Sequence, residues 1–186
     1  MMSAEVKHGP FIETRSGLRF HPLEPKAADI RISDIAHALS NQCRFSGHTR
    51  EHYSVAEHSV RVSNLLEEQG YSKEMQLWGL LHDASEAYLV DLPSPLKQHP
   101  AFAFYYEAEA EVMRQVCIRF WMPEEMPDVV KEADAILLAT EVRDLMPFHA
   151  EHWAKLTHNP LDEKILPWDP EFAREQFIER FREISE

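Results

Sequence analysis

Glycine is scarce, with five in 186 residues, which leaves no room for a Gly-rich phosphate loop, a repetitive β-architecture or a long flexible linker. Cysteine is scarcer still. Cys43 and Cys117 are the only two, too few for a disulfide scaffold or a cysteine-rich structural zinc site. The longest apolar run, Leu77 to Leu81, falls far short of the ~20 residues that span a bilayer. Basic residues number 19 against 32 acidic ones, for a formal net charge of −13 with histidine neutral. A field of that sign repels nucleic acid and anionic membrane, so neither is an expected partner. It leaves open one small phosphate ligand held by a local cation or metal. Met1 to Pro10 lacks the apolar stretch of a secretory signal, so the expectation is a cytoplasmic protein with both thiols free.

What is present is an ordinary core-forming composition, 44% hydrophobic and 27% charged, in a length that fits one domain. Twelve prolines punctuate the chain without clustering. The unusual count is histidine, eleven in all, several beside acidic residues.

Phe11 to Leu23 alternates weakly around Ser16-Gly17, the pattern of a hairpin or extended arm. Residues 1–32 therefore read as an arm of the same domain, and 33–186 as its helical body. Ser33 is a candidate N-cap for a helix over Asp34 to Asn41, with Ile35, Ala38 and Leu39 on one face. Arg44 to Tyr53 reads as a polar loop. Ser54 and Glu57 match a capping box, opening a helix that ends near Gln69 with Gly70 in the left-handed position. Ser72 opens the next, expected to run on until Pro93 stops it. Pro100 to Met122 follows, offering Phe102, Tyr106, Val112, Val116 and Phe120 to the core. Further helices are expected over Asp128 to Leu145, around His149 to Leu156, and from Asp169-Pro170 to Ile184. The predicted class is all-α, one compact bundle with a short arm.

Three places put ionisable groups into apolar stripes. His58 sits among Val55, Val62, Leu65 and Leu66; Asp134 among Val130, Leu137 and Leu138; His82-Asp83 directly follows Leu77 to Leu81. A buried, unpaired carboxylate costs several kcal/mol, so Asp83 and Asp134 need partners. Separate hydrogen-bonded core residues would be the bland explanation for any one of them. Four such groups on three helices favour a divalent ion between helices. Mixed His/Asp ligation suits Mn, Fe, Co, Ni or Zn better than Ca or Mg.

The order His58, His82-Asp83, Asp134, spaced by 24 and 51 residues, resembles the H…HD…D signature of the HD-domain metal-dependent phosphohydrolases. The segment His82-Asp-Ala-Ser-Glu-Ala-Tyr-Leu-Val-Asp-Leu-Pro-Ser-Pro-Leu-Lys97 is similar to its counterpart in the bacterial HD-type 5′-deoxynucleotidases, and the likeness extends from about Arg44 to Glu141. The loop Arg44 to Arg50 also looks like that of small bacterial and phage HD proteins acting on nucleotides.

The resemblance implies one divalent metal on His58, His82, Asp83 and Asp134, with Glu86 and Asp91 as catalytic carboxyls near the scissile phosphate. It also implies a homodimer. Arg44-Phe45 stands where the family has an Arg-Trp pair holding phosphate and base; the Phe is a departure. Glu86, four residues after His82, is expected on the same helix face, orienting the attacking water or taking its proton. Asp91 would protonate the leaving oxygen or bind a sugar hydroxyl, against an ordinary turn residue. Arg44 would grip phosphate, against a loop salt bridge. His48 and Lys97 are further phosphate candidates, against solvated surface groups.

The implied activity is release of phosphate from (deoxy)nucleoside 5′-monophosphates. Hydrolysis of the triphosphates is the close alternative, and a non-catalytic nucleotide sensor a more distant one. An HD-type di-iron oxygenase is poorly supported, since only His99 lies between Asp83 and Asp134.

Overall fold

The computed structural model describes residues 9–147, 153 and 158–186. Among these the fold is all-α apart from one small hairpin. Strands β1 (Ile12–Glu13) and β2 (Arg19–Phe20) pair antiparallel across a turn in which Gly17 takes φ 79°. The arm is stitched to the body through Asp34, whose carboxylate accepts from the Ser16 amide and hydroxyl at 2.8 and 2.7 Å. Phe20 is fully buried and stacks on Tyr88.

Helix α1 (Ile32–Asn41) starts two residues before the expected start, with Arg31 at the N-cap and no side-chain cap. Ser33 lies inside it because the Asp34 and Ile35 amides already pair with the Arg31 carbonyl, at 3.0 and 3.1 Å. Helix α2 (Val55–Glu68) carries the Ser54 cap, accepting from the Glu57 amide at 3.1 Å, and Gly70 follows at φ 79°. The capping box is only half made. The Glu57 carboxylate is held by Arg61 and the Trp168 amide instead.

Helix α3 (Lys73–Leu81) begins at Ser72 as expected and stops eleven residues short of Leu92. After Leu81 the backbone pairing tightens, with Ala84 to Leu81, Glu86 to Asp83 and Ala87 to Ala84 all spanning three residues. His82 to Ser85 thus form a turn, and Glu86 opens a separate short helix, α4 (Glu86–Leu89). A second short helix, α5 (Ser94–Lys97), follows Pro93.

Pro100–Phe102 form a 3-10 turn leading into α6 (Ala103–Phe120). Val112 and Val116 are buried there; Tyr106 faces outward, contrary to its expected core position. Helices α7 (Asp128–Leu145) and α8 (Pro170–Ser185, capped by Asp169) match expectation. The helix expected around His149 to Leu156 falls mostly outside the described residues.

Helix α2 is the hub, packed by α1, α3, α7 and α8. Its closest neighbour is α3, because Gly79 lies directly on it: a Cβ there would sit 2.6 Å from Leu66 Cδ1 and 3.2 Å from the Ser63 backbone. No helix among the described residues is long and apolar enough to cross a membrane.

Candidate metal centre

Three elements around the hub deliver the chemistry. His58 comes from the first half of α2, His82 and Asp83 from the turn after α3, and Asp134 from α7. His58, His82 and Asp134 each offer a ligand atom, all within 4.8 Å of one another. His58 Nε2 lies 3.2 Å from His82 Nε2 and 3.1 Å from Asp134 Oδ1. Asp83 Oδ2 borders them, 3.2 Å from His82 Nε2 and 3.8 Å from His58 Nε2.

The other nitrogen of each ring is already engaged. His82 Nδ1 is 2.7 Å from the Gly79 carbonyl, which only accepts, so Nδ1 carries a proton. His58 Nδ1 is 2.6 Å from Glu141 Oε1. Arg44 and His58 outweigh the effect of burial and hold the Glu141 carboxyl below its usual range, so this nitrogen too is the donor. Neutral rings would then aim two lone pairs at each other across 3.2 Å. That arrangement calls for a proton or a metal ion between them, and the orienting carboxylate and carbonyl are the supports metal-binding imidazoles use.

Charge tells the same story. Asp83 and Asp134 are both held below the usual carboxylate range: burial works against this, and the imidazoles outweigh it. Three ionised carboxylates, Glu141 included, thus face one guanidinium. Without a metal the imidazoles supply the missing charge. Burial opposes their protonation, yet Asp83 drives His82 up to about 9, and Glu141 with Asp134 raises His58. A divalent cation fits the same place, and the donor set is of the kind expected.

Arg44 stands beside the cluster. Its Nε donates to Glu141 Oε2 at 3.2 Å, with Nη2 at the same distance in the ion pair, and Nη1 donates to Asp83 Oδ2 at 3.5 Å. The loop behind it holds an unusual conformation: Phe45, Ser46 and Gly47 have φ of 53°, 52° and 76°, a left-handed turn that costs each non-glycine residue about 1–2 kcal/mol. The Arg44 amide bonds to the Tyr53 carbonyl and anchors it. The Phe45 ring is half-buried, 5.7 Å from the Arg44 guanidinium and edge-on to Trp153. His48 is exposed at the end of the turn, away from the cluster's hydrogen bonds.

Glu86 is buried, but it reaches the site from its own short helix rather than from the helix of His82. Burial first, then Asp83 and Asp91, push its carboxyl up to about 9. Asp91 is half-buried, its amide donating to Gln42 Oε1, while Gln42 Nε2 donates to the Glu86 carbonyl. One side chain therefore spaces the two carboxyl-bearing residues. Asp91 follows Val90, whose φ of 65° and ψ of 155° lie in a region nearly reserved for glycine. Lys97 donates to two carboxylates, Glu86 at 3.4 Å and Glu109 at 2.9 Å.

Sequence reasoning missed Glu141 and Tyr53. Glu141 binds His58, Arg44 and the Tyr53 hydroxyl, the last at 2.9 Å. The signal was available, since Glu141 lies two helical turns after Asp134 on the same face of α7.

The fold and the cluster together define a class: a mostly helical domain in which two buried histidines and a half-exposed aspartate could hold a metal ion. Comparison narrows this to a family. No family model matches the chain. It is 39% identical over 178 residues to the uncharacterized protein YfdR of Escherichia coli, covering 95% of this chain and 96% of YfdR. It is also 38% identical over 122 residues to an uncharacterized protein of Rhodobacter capsulatus, covering 63% of this chain and 62% of that protein. The chain belongs to the YfdR family.

Proposed function

We propose that this protein is a divalent-metal-dependent phosphohydrolase that releases phosphate from (deoxy)nucleoside 5′-monophosphates. The observation that carries this reading is the convergence of His58, His82 and Asp134, with Asp83 bordering them and Arg44 alongside. The order and spacing of these residues resemble the HD-domain signature. His58, His82 and Asp134, with Asp83, would hold the ion. When bound, it supplies Lewis acidity and charge neutralisation for attack on a phosphate ester.

The chain's own residues cover the rest. Arg44 keeps its charge against burial because Glu141 and Asp83 flank it, and its fork offers further N–H groups to a phosphate. Glu86 and Asp91 are carboxyls whose proton affinity is raised, by burial above all. That suits groups that hand a proton to a leaving oxygen or orient water. Phe45 with Trp153 gives an aromatic surface beside Arg44 for a base. The same reading carries a cytoplasmic location and a homodimer, the latter checked by light scattering on the eluting protein.

The test uses metal-stripped protein reloaded separately with Mn, Co, Fe, Ni, Zn and Mg. Each form meets a panel of ribo- and deoxynucleoside mono-, di- and triphosphates, with products identified by phosphorus NMR. Free phosphate from monophosphates is the expected result, lost in Asp134→Ala together with metal. Intact triphosphate plus nucleoside would make the protein a triphosphohydrolase instead. No turnover in protein shown to carry metal would overturn the enzymatic reading.

A further inference from the structure

Helix α6 places Tyr105 and Glu109 one turn apart on the same face. Lys97, the last residue of α5, lies against both. Its Nζ is 5.7 Å from the Tyr105 ring centroid and donates to Glu109 Oε1 at 2.9 Å. The same ammonium reaches Glu86 Oε1 at a longer 3.4 Å. Lys97 is therefore anchored on α6 and leans on Glu86. Burial disfavours the ammonium, and Glu109 and Glu86 outweigh it. The Tyr105 hydroxyl meanwhile donates to the carbonyl of Val90 at 2.5 Å, bracing the positive-φ residue that joins α4 to Asp91.

Glu86 has a second oxygen. Oε2 is buried and has no hydrogen-bond partner among the described residues, a costly state for a carboxyl 5% exposed. One oxygen is thus pinned by a cation that is itself pinned, while the other has no partner among the described residues.

We infer that Glu109 is a positioning residue that acts through Lys97, holding Glu86 so that its free oxygen makes a hydrogen bond with water or a substrate hydroxyl. The nature of that ligand rests on the phosphohydrolase reading; the Glu109–Lys97–Glu86 coupling does not. Neither Glu109 nor Lys97 touches the His58–His82–Asp134 group, so the coupling acts on Glu86 without rebuilding the metal centre.

The experiment compares Glu109→Gln, Lys97→Met and Lys97→Arg with the unchanged chain. Glu107→Gln, exposed on the same helix, is the control. The first readout is the infrared carboxyl band of Glu86, assigned by its disappearance in Glu86→Gln. The band is expected to shift in Glu109→Gln and Lys97→Met and to return toward its starting position in Lys97→Arg, with melting temperature and manganese content held. A band unmoved in Glu109→Gln overturns the inference whatever the protein hydrolyses. The second readout is steady-state hydrolysis of whichever monophosphate the reloading panel shows to be turned over. There kcat falls roughly tenfold or more in Glu109→Gln while KM stays within about twofold. An unchanged kcat overturns the inference. Absence of hydrolysis by the unchanged chain counts against the phosphohydrolase reading alone, and the band then decides.

Discussion

At Glu141 one carboxylate serves three partners, orienting His58, pairing with Arg44 and accepting from Tyr53. Glu141→Gln keeps the shape but removes the charge that fixes the His58 proton on Nδ1. Metal affinity should fall about 10–100-fold, measured by competition with a chelator; unchanged affinity would reduce Glu141 to a packing role. Protonation makes a second prediction at this scale. In the metal-free chain His82 titrates at about 9 rather than 6.5, and Glu86 at about 9 rather than 4.5. Between pH 6.5 and 9 the native state holds protons at both groups that the unfolded chain has released. Their contributions to stability are therefore lost as pH rises through that window. The melting temperature of metal-free protein should fall from pH 7 to 9, and the increase caused by added metal should grow over the same range. A flat or opposite trend would contradict the assigned partners. The candidate ligands were readable because ionisable residues broke apolar stripes. Glu141 carries the same mark, with Leu137, Leu138 and Leu145 one turn to either side, but its partners on α2 and in the loop before it are distant in sequence and no local pattern names them.

The helices themselves were legible wherever a start signal and an apolar period agreed, a capping side chain for α2 and α8 and Pro127 for α7. The break after Leu81 was not, since no glycine or proline marks His82 to Ser85. Its cause is tertiary: His82 turns its Nδ1 to the Gly79 carbonyl and its Nε2 to residues on two other helices. Gly79 is thus used twice, for the close approach of α3 to α2 and for the carbonyl that orients His82. Gly79→Ala should force Leu66 and the Ser63 backbone aside and cost about 1–3 kcal/mol in denaturant unfolding. It should also weaken metal binding, because the carbonyl moves with the helix. A variant as stable as the parent would mean that the α2–α3 contact yields easily.

Across the whole molecule, a second buried polar network holds the helices that frame the centre. Arg180 of α8 donates to Ser63 Oγ and its carbonyl on α2, to Gln76 Oε1 on α3, and to Glu67. Its guanidinium ties three helices at the face of α2 that the metal ligands do not use. Arg180→Ala leaves the Ser63 and Gln76 oxygens without their donor and should cost about 2–3 kcal/mol. Metal affinity at pH 7 should stay near that of the parent wherever the variant is folded. Equal unfolding midpoints for the two chains would show the network to be dispensable. Nothing in the sequence singled out Arg180, which reads there as one more charge on a polar helix. Its burial follows from how α8 crosses α2 and α3, a fact of packing that no local period encodes.

The spread of the metal centre along the chain sets an order in time. His58, His82 and Asp134 come from three segments, and Glu141 follows them. A chain growing during synthesis carries both imidazoles long before it carries the aspartate or the carboxylate that fixes His58. Half-made, it has two histidines of which only His82 has its orienting carbonyl, a pair that would hold a transition metal only weakly. The group is complete only when α7 docks on α2. An ion held there would therefore be chosen by a nearly finished fold, from whatever metals the surroundings hold at that moment.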